Sequence, residues 1–528
     1  MTRSHETRPR AQRAGWRGGL LAALLLALLG TAAAQPGTVL RLAIPADPLM
    51  NPILGTDAAA VPINRFFFNA LTRPDPETFE PRPDLATSWE VSEDGLTWTF
   101  ELVDNATWHD GEPFTAEDVK FTYDTILDPN NNSPRRSAIA VIESVEVVDD
   151  YTVRFHLSSP LGSFPTIASY NVGIVPRHVL EGQNIAEATE FNTRHPISTG
   201  PYEIASVTPG SQYEFVANPD YFKGAPPIER VIFKVLPDVN TQVAQLLSGE
   251  LDYAVVQPTN LPALQRSNRV KIQSVPYLGF EHISFNYEHP LFSDPRVRLA
   301  MIYGLDREAI IQSVMGGEAV IGVGPIPPVF PWAFDDELEP VPYDPDRARE
   351  LLAEAGWTPG PDGVLQKDGE RFAFEIGVDQ GNPTRERTTL IAQQAYQALG
   401  MDVGVRVDEW PVYVQKLLGG EWVAHAGFWV LPPDPDLTNY YAPGQAFNTV
   451  HYDNPRVTEL LEAGRATSDQ AERAEIYKEL QQVMYEDPPG VVLFYPQDIQ
   501  AMNARLTTTP LPFREALQWV EQWRYEGQ

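Results

Sequence analysis

Between residues 231 and 256 the chain reads strand, helix, strand, and this succession constrains the fold more than any other feature. Val231-Ile232-Phe233-Lys234-Val235 is a short apolar run rich in β-branched residues. Asn240 opens a helical pattern carrying Val243, Leu246 and Leu247, which Gly249 stops, and Leu251-Asp252-Tyr253-Ala254-Val255-Val256 follows as a second strand. Two strands joined by a helix imply a parallel crossover and hence an α/β sheet. The pattern returns downstream. Asp294-Pro295 starts a helix with Val297, Ala300 and Met301 on one face, and Asp306 caps the next. Arg347 to Ala355 reads as a helix, Phe372 to Val378 as a strand, Arg385 to Leu399 as a helix, Val403 to Val407 as a strand, and Val457 to Met484 as mainly helical. Residues 324–345, dense in Pro and acidic groups, read as a long ordered loop.

The stretch 88–157 follows a different period. Leu96 to Leu102 alternates in twos, and Val145 to Val148 and Tyr151 to Leu157 flank the hairpin signal Asp149-Asp150. One helix interrupts these strands, with Thr115 as cap and Asp118 at the capping-box position. At 528 residues the chain exceeds a single core of about 250–300 residues, so two α/β lobes and a β-rich part are expected. Cysteine is absent, which removes disulfides and thiolate chemistry. The 71 acidic against 39 basic side chains give a formal net charge of −32, a field that disfavours nucleic acid and anionic membrane surfaces as partners.

Residues 1–34 carry the three parts of a secretory signal peptide. Arg3, Arg8, Arg10, Arg13 and Arg17 lead, Leu20 to Leu29 is apolar, and Ala32-Ala33-Ala34 precedes Gln35. The apolar run is about ten residues, against roughly twenty for a membrane-spanning helix. No Cys follows the small residues. The expectation is a periplasmic or extracytoplasmic monomer, cleaved near Gln35 and not a lipoprotein.

The residue sets that hydrolysis needs are missing. There is no Gly-x-Ser-x-Gly elbow, no Ser-x-x-Lys, no His-Glu-x-x-His and no phosphate-cradling Gly loop. His109, in Trp108-His109-Asp110-Gly111, reads better as a loop-closing residue than as a catalytic one. Carboxylate pairs discriminate nothing in so acidic a chain, so a secreted acidic hydrolase is a remote alternative. Nothing in the sequence points to an enzyme, a cofactor or a resident metal.

Ser88-Trp89-Glu90-Val91-Ser92-Glu93-Asp94-Gly95-Leu96-Thr97-Trp98-Thr99-Phe100, followed by Trp108-His109-Asp110-Gly111-Glu112-Pro113-Phe114-Thr115, resembles the signature of the bacterial extracellular solute-binding protein family 5. Further matches include Thr199-Gly200-Pro201-Tyr202, Asn218-Pro219-Asp220-Tyr221, Asp294-Pro295-Arg296-Val297-Arg298, Tyr343-Asp344-Pro345 and Asp434-Pro435-Asp436. The family comprises peptide- and nickel-binding receptors of ABC importers. The resemblance implies a periplasmic binding protein clamshell of the class II-like, cluster C type: two α/β lobes, a hinge and an extra β-rich domain. Carried onto this chain, lobe I is 35–80 with 197–275 and 505–528, the insertion is 81–196 and lobe II is 276–504. The hinge falls near Val275–Phe285 and Asp498–Arg505. The implied partners are a small-molecule solute, peptide or oligosaccharide, and the permease subunits with their ATPase.

In peptide-binding members an Asp after a Trp holds the peptide ammonium group, and here Leu431 takes that place. Dipeptide-specific members place an Arg for the carboxylate where this chain has Asp379. Both departures argue against dipeptides and leave longer peptides held through their backbone. The residues assigned to the ligand are Trp429, Asp434, Asp436, Trp410, Asn439, Tyr441 and Arg385. Trp410, Trp422 and Trp429 lie on the segment that faces the cleft, where flat rings suit an oligosaccharide as well; Trp422, inside Glu421-Trp422-Val423, reads better as core.

Overall fold

The computed structural model describes residues 38–170 and 172–527; the leader read at 1–34 lies outside the described residues. Three β-layers organise the chain. The first is a four-stranded sheet in the order Val39–Ile44, Arg230–Val235, Gln212–Ala217, Tyr202–Thr208. The second is the antiparallel sheet Ala86–Val91, Thr97–Leu102, Thr152–Leu157, Ile142–Asp149, packed under the helix Ala116–Leu127. Asp118 serves that helix as the sequence predicts: its Oδ2 accepts the Thr115 N–H at 3.0 Å. The third sheet contains Gly279–Phe285, Ala424–Val430, Ala373–Asp379 and Asp402–Asp408, and is joined by the fourteen-residue strand Gly490–Asn503.

The strand–helix–strand succession is present as Arg230–Val235, Val239–Ser248 and Tyr253–Val255, with one correction. The two strands do not pair with each other. Val39–Ile44 runs parallel to Arg230–Val235 and meets the other strand through Asp252 N–H to Arg41 O at 2.9 Å. The helix also begins earlier than Asn240. Asp238 is its cap, because Asp238 Oδ1 accepts the Thr241 N–H at 2.7 Å.

Gly490–Asn503 belongs to both halves. Its first part pairs with Gly279–Phe285 and Ala319–Ile321. Its second part pairs with Val270–Pro276 and Tyr253–Val255. Between the two, Tyr277 N–H donates to Pro496 O at 3.1 Å. The molecule is therefore a two-lobed α/β protein with a separate antiparallel sheet. We take the hinge to lie where Pro276 and Pro496, neither with an N–H to give, thin the ladder.

Arg298, in the Asp294-Pro295-Arg296-Val297-Arg298 motif, is fully buried. Its guanidinium donates to Pro488 O at 2.8 Å, and also to Phe292 O and the Asp487 carboxylate. It ties the helix Pro295–Tyr303 to the start of the spanning strand. Arg298→Ala takes the donor from the Phe292 and Pro488 carbonyls and the cation from Asp487, which keeps Tyr287 and Asn454, so it is expected to lower stability by about 3 kcal/mol, read from urea unfolding; a loss under about 1 kcal/mol contradicts this.

Candidate functional site

The second sheet and the second lobe enclose a cavity of about 360 Å³. One wall holds Phe79, Trp89, Trp98 and Ser163, and the other Trp332, Asp434 and Arg473. Trp98 is fixed against Phe164 at 5.9 Å and Trp89 against Phe100 at 6.1 Å between ring centres, so the tryptophan wall is anchored in the insertion core. On the opposite wall the Arg473 guanidinium grips Asp434 with two hydrogen bonds of 2.9 and 2.7 Å, and lies 5.3 Å from the Trp332 ring centre. Burial opposes the Arg473 charge, yet Asp434 and the Tyr477 hydroxyl hold its pKa above the usual arginine value. The cavity wall thus carries a satisfied ion pair rather than a free Asp434 charge.

Beside this cavity the second lobe presents a cluster of rings. Trp429 meets Tyr440 at 5.2 Å and Phe447 at 5.7 Å, and Tyr440 stacks on Phe447 at 5.8 Å. The Tyr440 hydroxyl donates to Val430 O at 2.8 Å, which fixes the ring against the strand end. Val430 and Phe447 remain exposed, a platform of aromatic and apolar surface. Burial, with the Tyr170 and Asp436 charges adding, pushes the Tyr440 phenol up. Beneath it, His282 stacks on Trp429 at 5.6 Å and meets His425 edge-on at 5.4 Å.

The residues expected from the sequence fall into different places. Asp434 lines the cavity, and Trp429 and Asn439 lie at the ring cluster, Asn439 exposed beside Tyr440. Asp436 closes the turn that leads into the short helix Thr438–Tyr441, accepting Thr438 N–H at 2.9 Å. Tyr441 is buried against Tyr452 at 5.9 Å and turns away from the seam. Trp410 is 58% exposed on Tyr413 and lines none of the cavities described here. Arg385 is buried, with its Nε donating to Glu281 at 2.7 Å and Nη1 to Asp379. Leu431 is fully buried and gives its N–H to Leu278 O at 2.9 Å, so nothing there meets an ammonium group. Trp422 is core, as one reading allowed. His109 closes a loop, its ring bonding Gly200 O at 3.0 Å; burial lowers its pKa to about 4.

Trp89, Trp98, Tyr170, Trp332, Tyr440, Phe447 and Arg473 were not singled out as ligand contacts. Trp332 lies in the Pro-rich loop read at 324–345, and that ordered loop was the one available signal. Arg473 gives none, because a single Arg on a helix reads as solvated surface.

Residues 80–448 match the profile of the bacterial extracellular solute-binding proteins, family 5 Middle. The chain belongs to this family. Among family 5 relatives, the oligopeptide-binding protein AppA of Bacillus subtilis is 32% identical over 501 residues, covering 93% of this chain and 92% of AppA. The di/tripeptide-binding protein 2 of Pseudomonas aeruginosa is 30% identical over 521 residues, covering 92% of this chain and 94% of that protein. AppA solved in complex with a nonapeptide superposes with a TM-score of 0.74 over 93% of this chain and all of AppA, at 29% identity. NikZ of Campylobacter jejuni in complex with Ni(L-His) gives a TM-score of 0.74 over 92% of this chain and 99% of NikZ, at 27% identity. Family 5 proteins are binding receptors, and among the described residues no helix is long and apolar enough to cross a membrane.

The histidines under Trp429 carry a pH signature. Burial, aided by the Arg385 charge, pushes His425 down to about 3, and burial holds His282 well below its ordinary value. In the unfolded chain both rings take up protons near pH 6.5, while the folded rings resist. Stability is therefore complete above about pH 6.5 and declines as pH falls, for His425 by about 1.4 kcal/mol per pH unit toward pH 3, with His282 acting in the same direction. Urea unfolding at pH 7, 6 and 5 is expected to show that slope, and to show it reduced in His425→Gln; an identical slope in the variant contradicts the assignment.

Proposed function

We propose that this family 5 protein captures peptides longer than dipeptides between its lobes and delivers them to the permease of an ABC importer, without altering them. One observation carries the reading. The buried charge on the second-lobe wall is already paired, Asp434 with Arg473, and Arg385 is likewise held by Glu281 and Asp379, while Trp89, Trp98 and Trp332 give the cavity its rings and Glu80 and Glu90 stand at its insertion side. Such a site suits the neutral interior of a peptide, which offers amides and side chains but no charge that must be countered. The absence of a carboxylate at Leu431 weighs against a short zwitterion, whose two ends need countercharges. The likeness to AppA, solved with a nonapeptide, supports the same solute class. Among the described residues no group of three or more His, Cys, Asp or Glu is placed for a metal ion, so we favour peptide over a nickel complex.

Capture works by population shift. A solute touching both lobes binds the closed form better and moves the equilibrium by that difference in affinity alone. The permease then reads closure. An oligosaccharide is the second reading, favoured by Trp89, Trp98 and Trp332 around one cavity, since flat rings stack on sugar faces.

Mass spectrometry of solute released from the purified protein, with thermal shift against synthetic peptides, tests this. A bound peptide at a hundred times its Kd is expected to add about 2.7 kcal/mol of stability and to be recovered intact. Released oligosaccharide, or a cleaved peptide, contradicts the peptide-receptor reading. Trp429→Ala is expected to weaken peptide binding by about 0.5–1.5 kcal/mol, two- to tenfold in Kd, with an unchanged fold; equal affinity in calorimetric titration removes Trp429 from the site.

A further inference from the structure

Gly162 stands at the turn before the helix Phe164–Ser169, on the insertion side of the 360 Å³ cavity. Its N–H donates to Arg465 O at 2.7 Å. A Cβ at this position would lie 1.8 Å from Thr467 O and 2.6 Å from Thr467 C, so no side chain fits while the two backbones are this close. Gly162 is not among the positive-φ glycines, so its own backbone would accept any residue. What demands glycine is the approach of a distant part of the chain: the turn between the helices Pro455–Ala466 and Gln470–Glu486.

The joint is slender. Among the described residues, Gly162 N–H to Arg465 O is the one hydrogen bond, and there is no ion pair, between the segments 81–196 and 276–504. A permanent domain interface rests on broad apolar burial or many polar contacts. Here the bond sits at the cavity rim, with Gly162 and Ser163 on one side and Ser468 and Gln470 on the other. Gly162 and Arg465 are both half-buried there, so parting the two segments costs a single backbone hydrogen bond.

We infer that Gly162 is a positioning residue for solute capture: its missing side chain lets the insertion dock on the 465–468 turn and seal the cavity over the solute. The insertion is then a third jaw. The inference rests on the peptide-capture reading for the identity of the solute and on the backbone approach alone for the joint.

Two measurements decide it. The first compares Gly162→Ala and Gly162→Val with the wild type for retention of an equimolar pool of synthetic peptides from tripeptide to nonapeptide, counted by mass spectrometry. Gly324→Ala is the control, since a Cβ there meets only Gln481 Cγ at 3.9 Å. Retention at least tenfold lower in both Gly162 variants, with the melting temperature of the empty protein unchanged, supports the inference. Equal retention in Gly162→Val overturns it, as does a fall in melting temperature with retention per folded molecule unchanged.

The second needs no solute. The chain has no Cys, and the Ser163 hydroxyl has no hydrogen-bond partner, so Ser163→Cys with Ser468→Cys adds the one possible disulfide at little structural cost. Oxidation is expected to close this pair at least tenfold more slowly when Gly162→Val is added; equal rates overturn the joint. A wild type that retains no peptide sinks the peptide reading and leaves the cysteine pair to decide the joint.

Discussion

Gly490–Asn503 is the strand on which the molecule turns, because it spends its hydrogen bonds on both halves. Its register with Gly279–Phe285 shifts between Glu281 and His282, and its pairing passes to Val270–Pro276 beyond Pro496. A continuous ladder resists bending, since every residue fixed by two neighbours must move with them. Here two prolines and a register break stand together, so the crossing keeps the lobes connected while giving the ladder little stiffness. Separate apolar clusters flank the crossing, Ile283, Phe285 and Val491 in one and Ile499 and Ala501 in another, while Phe280, Tyr495 and Met502 belong to a third that spans it.

The same economy shows in the charges. Three buried guanidiniums are answered by carboxylates, Arg298 by Asp487, Arg473 by Asp434, Arg385 by Glu281 and Asp379, whereas Arg135 and Arg307 are held by backbone carbonyls. Removing either member of such a pair leaves an uncompensated buried charge, so these pairs hold loops in one place more than they add net stability. Their consequence for function is indirect. With Asp434 and Arg473 consumed by each other, the cavity wall of the second lobe offers Trp332 and a satisfied pair rather than a free charge, which suits solutes varied in sequence but alike in their main chain.

The parts of the fold set by local rules were legible in the sequence. Thr115 with Asp118, Asp294 and Asp306 each mark a helix start, because a short polar side chain can satisfy the free N–H groups there. Period-two alternation marked Thr97–Leu102 and Thr152–Leu157, since one face of each strand is buried. Strand partners were not legible: nothing in Leu251 to Val256 says that Val39–Ile44 will come between it and Arg230–Val235. The candidate site was harder still, because its walls come from segments far apart in sequence, from Phe79 to Arg473. Trp410 and Trp332 both sit near helix or loop boundaries in an acidic context, yet one is exposed at a helix start and the other faces the cavity. Gly162 is invisible in sequence, since the backbone that excludes its Cβ lies three hundred residues away, roughly the span of a whole domain.

The account depends on two lobes joined by a narrow crossing that shut around a solute. Small-angle scattering of the purified protein, stripped of solute and then saturated with the peptide it releases on unfolding, tests this directly. The account predicts a smaller radius of gyration and a narrower distance distribution on saturation. An unchanged profile, with binding shown in the same sample by calorimetry, would contradict it.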